Sequence, residues 1–135
     1  MIEFAVAEWL RAHRALASAH QLAESDPDSA ASRTYYAAFH ALTALFALRG
    51  QTFSRHSALR AAVHRELVQT GQWTRELGRA YDFVLSLRET GDYGGLARVT
   101  VEAVRDAIKD CNTILEAVKL ACPDLETPPG ADAHD

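Results

Sequence analysis

The interior of this chain has almost no structure breakers. Its four prolines stand at positions 27, 123, 128 and 129, so none lies between Asp28 and Cys122, and the glycines gather in short breaks such as the Thr90 to Gly95 stretch. No segment alternates apolar and polar residues with period two. These absences exclude a sheet-based architecture, which needs alternating strands punctuated by turn residues. The cysteines number two. Cys111 and Cys122 fall in one expected helix, eleven residues apart, which is about 16 Å of helical rise against at most about 7 Å between the Cα atoms of a disulfide. They are expected to be packed thiols in a reducing compartment. No apolar run approaches the roughly 18 residues that cross a bilayer, and the opening residues carry Glu3 and Glu8 where a signal peptide carries bases. A cytoplasmic protein with no membrane attachment is expected. A Gly-rich phosphate loop, C-x-x-C, H-E-x-x-H and a nucleophile elbow are all missing, so no metal site and no cofactor is expected.

What the chain does have is helical periodicity throughout. Its 135 residues, 48% hydrophobic and 24% charged, suffice for one domain with its own core. A first helix is expected from about Glu3 to Ala23, with Trp9, Ala12, Leu16, Ala19 and Ala23 on one face. Pro27 then breaks the pattern, and Asp28 or Ser29 can cap the next helix. A third is expected from Ser54, with Leu59, Val63 and Leu67 at four-residue steps, ending at Gly71. A fourth runs from about Thr74 to Glu89 on Trp73, Leu77, Ala80, Val84 and Leu87, with Gly78 inside it costing about 1 kcal/mol relative to alanine. The fifth, from about Leu96 to Ala121, has the cleanest stripe: Ala97, Val101, Val104, Ile108, Cys111, Leu115 and Val118. The fold class expected is all-α, an antiparallel bundle of four to five helices over residues 1–122, followed by a disordered acidic tail over 123–135.

The second helix, Ser32 to Gly50, organises the rest. Tyr35, Phe39, Leu42 and Phe46 make one apolar stripe, and six alanines and leucines cover most of the remaining circumference, so this helix belongs in the middle of the bundle. One polar seam interrupts it, made of Arg33, Tyr36, His40 and Thr43. Arg33 and His40 are seven residues apart and lie within about 20° of one azimuth. An unpaired buried arginine would cost several kcal/mol, so the seam must face a groove or a second subunit. A lone histidine on such a helix also has a purely structural reading.

The net charge of −4 is unevenly spread. Arg49, Arg55, Arg60, Arg65, Arg75 and Arg79 are opposed in their stretch only by Glu66 and Glu76, with His56 and His64 besides. This is either a solvated face or an electrostatic footprint for phosphates beside the seam.

S-R-T-Y-Y-A-A-F-H-A at Ser32 to Ala41, R-H-S at Arg55 to Ser57 and L-R-E-T-G-D-Y at Leu87 to Tyr93 together resemble the HEPN-domain proteins, above all the small stand-alone bacterial and archaeal type, from about Arg11 to Leu120. The resemblance implies a compact helical bundle that forms a homodimer. Many members are metal-independent ribonucleases with an arginine and a histidine separated by four to six residues, and some are toxins neutralised by a small nucleotidyltransferase. Arg33-x6-His40 fits that signature and supplies the catalytic pair it implies. Tyr36, Thr43, Arg55, His56, Arg88, Asp92 and Tyr93 are supporting candidates, although an Asp-Tyr pair after an arginine can equally hold a helix end. Thr34 follows the arginine, and Leu42 stands where the toxin subgroup has a tyrosine. RNA, a nucleotide and a nucleotidyltransferase antitoxin are the partners implied, and a non-catalytic module binding a nucleotide or such a nucleotidyltransferase is the alternative to an enzyme.

Overall fold

A computed structural model describes residues 2–93, 98–126 and 128 of the chain. Within them lie five α-helices and no strand: α1 (Ile2–Leu22), α2 (Pro27–Leu48), α3 (His56–Ala62), α4 (Arg75–Tyr93) and α5 (Val101–Ala121). α2 is the axis of the bundle, packed along α1 on one side and against α4 and α5 on the others. Twelve of its 22 residues are buried, among them Tyr35, Leu42, Leu45 and Phe46. The least covered side carries Arg33, which is exposed, and Tyr36, Phe39, His40 and Thr43, which are half-buried; the polar seam lies there, and Phe39, expected in the buried stripe, sits beside it.

Several helix boundaries differ from those the residue pattern suggests. Pro27 does not keep α2 waiting until Asp28; it is the first residue of the helix, where its missing N–H costs nothing, and Asp26 is the cap. The Asp26 carboxylate accepts from Ser29 N at 3.2 Å and from Ser29 Oγ at 2.6 Å, and those bonds hold its pKa below the usual carboxylate value. Nor does Ser54 cap the third helix: α3 starts at His56 after an extended Arg55 that offers no side-chain cap, and it runs on into a π-helical stretch, Val63–Val68. Leu59, Val63 and Leu67 are buried all the same.

α4 continues through Thr90, Gly91 and Asp92 where a break was expected. A Cβ at Gly91 would come within 3.1 Å of the Asp28 carbonyl oxygen, and one at Gly78 within 2.8 Å of Val68 Cγ2. Both glycines therefore let α4 approach its neighbours closely, which offsets their poor helix propensity. Thr100, accepting from Ala103 N at 3.0 Å, caps α5; Leu96 and Ala97, expected in its first turn, lie outside the described residues. The packed unit also extends past residue 122. Leu125 is buried, and the Glu126 carbonyl accepts from Trp9 Nε1 at 3.0 Å; of the acidic tail, residue 127 and residues 129–135 lie outside the described residues.

Both cysteines are free and buried. Cys111 faces the Thr34 carbonyl at 3.5 Å, and burial pushes its thiol pKa up; burial does the same, less strongly, to Cys122 at the end of α5. Since the thiolate is the reactive species, a disulfide-exchange reagent should label Cys111 only as fast as the protein unfolds, and both thiols at once in denaturant. Fast native labelling of Cys111 would show that α5 does not pack as described.

Candidate functional site

The site is built on the hairpin of α1 and α2. Four residues, 23–26, connect them, so the helices run antiparallel and early α1 lies beside late α2. Arg11, Arg14, Ala15 and Ser18 of α1 and Arg33, Tyr36 and His40 of α2 line one open concavity of about 420 Å³. A second hollow of about 310 Å³, lined by Asp28, Ser29, Ser32, Arg33, Gly91 and Asp92, adjoins it. Arg33 lines both and stands on the ridge between a basic hollow and an acidic one.

The two residues of the arginine-histidine signature thus share one surface. His40 Nδ1 lies 2.6 Å from Glu8 Oε2, and the histidine side chain is 21% exposed against 8% for the glutamate. Arg11, one turn along α1, is 3.8 Å from the other Glu8 oxygen. Arg33 is exposed and its guanidinium lies over the Tyr36 ring, 5.3 Å from the centroid. Arg88 lies 5.3 Å from the same centroid, so cations from two helices stack on Tyr36.

The supporting candidates divide. Arg88 is held by the structure itself: it also lies over Tyr35 at 5.0 Å, donates from Nη2 to Tyr36 Oη at 3.3 Å and pairs with Asp92 at 2.9 Å. Thr43 spends its hydroxyl on the Phe39 carbonyl of its own helix, at 2.7 Å. Arg55 is exposed just before α3. His56, the first residue of α3, stacks on Phe39 with centroids 4.4 Å apart and meets Tyr35 Oη through Nδ1 at 2.6 Å. Burial raises the Tyr35 pKa, so the phenol keeps its proton. Burial first, then the charges of Arg88 and His40, push the His56 pKa down, and the ring stays neutral at pH 7. The Tyr93 side chain lies outside the described residues. Thr34 and Leu42, notable by position in the sequence, are both fully buried and turned away from the seam.

Three of the six arginines in the basic middle of the chain are engaged with neighbours. Arg49 donates to Gln72 at 2.7 Å, Arg60 to Asp82 at 3.0 Å and Arg65 to Glu66 at 3.1 Å. The concavity at the seam instead takes Arg11 and Arg14 from α1 and Arg33 from α2. Glu8, Arg11 and Arg14 escape a reading of local pattern, though one signal was present: Glu8 falls between Ala5, Trp9 and Ala12 on the apolar face of α1, where a carboxylate requires a partner. Among the described residues, no three His, Cys, Asp or Glu side chains gather as metal ligands, and no helix is long and apolar enough to cross a membrane.

Residues 6–121 match the family model of the HEPN domain. Over 98 residues the chain is 41% identical to a protein of Thermotoga maritima described as "UPF0332 protein", an overlap that covers 73% of this chain and 74% of that one.

Proposed function

We propose that this chain, which belongs to the HEPN domain family, is a metal-independent ribonuclease that works as a homodimer, the toxin-like half of a pair whose other member is a small nucleotidyltransferase. The observation that carries this reading is the concavity in which His40 shares one wall with Arg11, Arg14 and Arg33. Three guanidiniums around one imidazole suit a polyanion and a proton transfer near pH 7.

Cleavage of RNA without a metal uses the ribose as nucleophile. The 2′-hydroxyl loses a proton to a base, its oxygen bonds to phosphorus, and the bond from phosphorus to O5′ breaks. O5′ takes up one proton, so the products are a 2′,3′-cyclic phosphate and a 5′-hydroxyl with no net change in protons. A guanidinium stabilises the charge that builds on the non-bridging oxygens, and the planar fork of Arg33 can do so through two hydrogen bonds at once. One imidazole cannot be the deprotonated base and the protonated acid together. Two copies of His40 from a symmetric dimer can share those roles, and a dimer through the seam would bring both Arg33 copies to the same phosphate.

The test is direct. Incubated with single-stranded RNA in EDTA, the purified protein should release fragments with cyclic phosphate ends, and light scattering should return twice the chain mass of 14.8 kDa. Intact RNA, together with saturable binding of a nucleotide or a nucleotidyltransferase, would replace this reading with that of a non-catalytic binding module.

A further inference from the structure

We propose that Glu8 is a positioning residue that fixes the His40 ring with its proton on Nδ1, so that Nε2 is the atom through which the site exchanges protons. The proposal rests on the ribonuclease reading only for its effect on cleavage; the state of the ring follows from the hairpin geometry. An ionised carboxylate accepts hydrogen bonds and donates none. At 2.6 Å from Glu8 Oε2, Nδ1 must therefore be the donor, and a neutral ring with its proton there has Nε2 as its only acceptor.

Two further features tie Glu8 to this task. The carboxylate is 8% exposed and sits among Ala5, Trp9 and Ala12, all buried, so leaving it without a close donor would be costly. Its other cationic neighbour, Arg11, stands 3.8 Å away and is itself 60% exposed, too distant for a good hydrogen bond. His40 is thus the near partner, and its ring lines the concavity where substrate would lie. Arg11, Arg14 and Arg33 also line that concavity, His56 of α3 senses the His40 charge, and Arg88 of α4 reaches the intervening Tyr36. Among the described residues, Glu8 is the anion held against the ring.

The experiment is nitrogen-detected NMR of the histidine rings in the full-length protein, wild type and Glu8→Gln, across pH 5 to 9. The wild-type spectrum should show neutral His40 protonated on Nδ1, an observation that needs no variant. In Glu8→Gln, whose amide can donate to Nδ1 as well as accept from it, the Nδ1-protonated form should no longer dominate the neutral ring. Cleavage should fall at least about 10-fold in kcat with RNA binding retained, the loss of about 10⁴ for the buried carboxylate of the serine protease triad marking the upper limit. A wild-type His40 protonated on Nε2, or a tautomer that Glu8→Gln leaves unchanged, would overturn the proposal. If instead the ring behaves as described and wild-type protein leaves RNA intact, the assignment of Glu8 stands and the ribonuclease reading fails.

Discussion

Replacing His40 by alanine is expected to lower the rate of RNA cleavage by roughly 10² to 10⁴, the share a positioned general acid or base ordinarily contributes. The variant should still fold. Its cost is the loss of the near donor to Glu8, worth about 1 to 3 kcal/mol for a buried acceptor left without its hydrogen bond, and Arg11 at 3.8 Å remains to offset part of it. His40→Gln separates chemistry from packing, because its amide can still donate to the carboxylate but cannot shuttle a proton near pH 7. Both variants should lose cleavage alike, while the glutamine variant melts closer to wild type. A histidine with only a structural role gives another pattern: cleavage unchanged in His40→Gln and a lower melting temperature in His40→Ala. Initial rates on a labelled RNA, measured beside thermal melts in the same EDTA-containing buffer, distinguish the two.

The largest expected effect on stability lies elsewhere on the same helix. Phe46 is fully buried and meets the Phe53 ring edge to face, with centroids 5.4 Å apart. Phe46→Ala removes both the buried area and that ring contact, so a loss of about 3 to 5 kcal/mol is expected. Against a total of about 5 to 15 kcal/mol for a domain, this lowers the melting temperature by on the order of 10 to 20 °C. Urea titration should give a lower midpoint with an unchanged slope, and cleavage per folded molecule should stay at the wild-type level because Phe46 lines neither hollow at the seam. A loss below about 1 kcal/mol would mean that α2 does not bury this face.

The axis of the bundle was legible from residue order alone, for a local reason. In a helix 3.6 residues make a turn whatever surrounds it, so of the stripe Tyr35, Phe39, Leu42 and Phe46 three residues are fully buried, and Phe39, which borders the strip shared by Arg33, Tyr36 and His40, is only half-buried. The same reasoning placed Trp9, Ala12, Leu16 and Ala19 on the inner face of α1 and Val104, Ile108, Cys111, Leu115 and Val118 on that of α5, and all are buried. It misled where a residue's role depends on a distant neighbour. Gly91 has the look of a terminator, but its missing side chain admits the backbone at Asp28, and only the crossing of α4 with α2 reveals that use.

What only the tertiary structure decided is the company His40 keeps. Glu8 is 32 residues away in the chain, and nothing in helical periodicity selects it over other acids; the antiparallel closure of α1 on α2 does, by setting early turns of one helix against late turns of the other. That closure also brings Arg11 and Arg14 to the seam, while Arg49, Arg60 and Arg65, which dominate the linear charge map, find partners among their neighbours. Residue order determined which face of α2 is polar, because that is a matter of angle along one helix. Which charges meet on that face is a matter of distance between helices, and distance is settled only when the core packs.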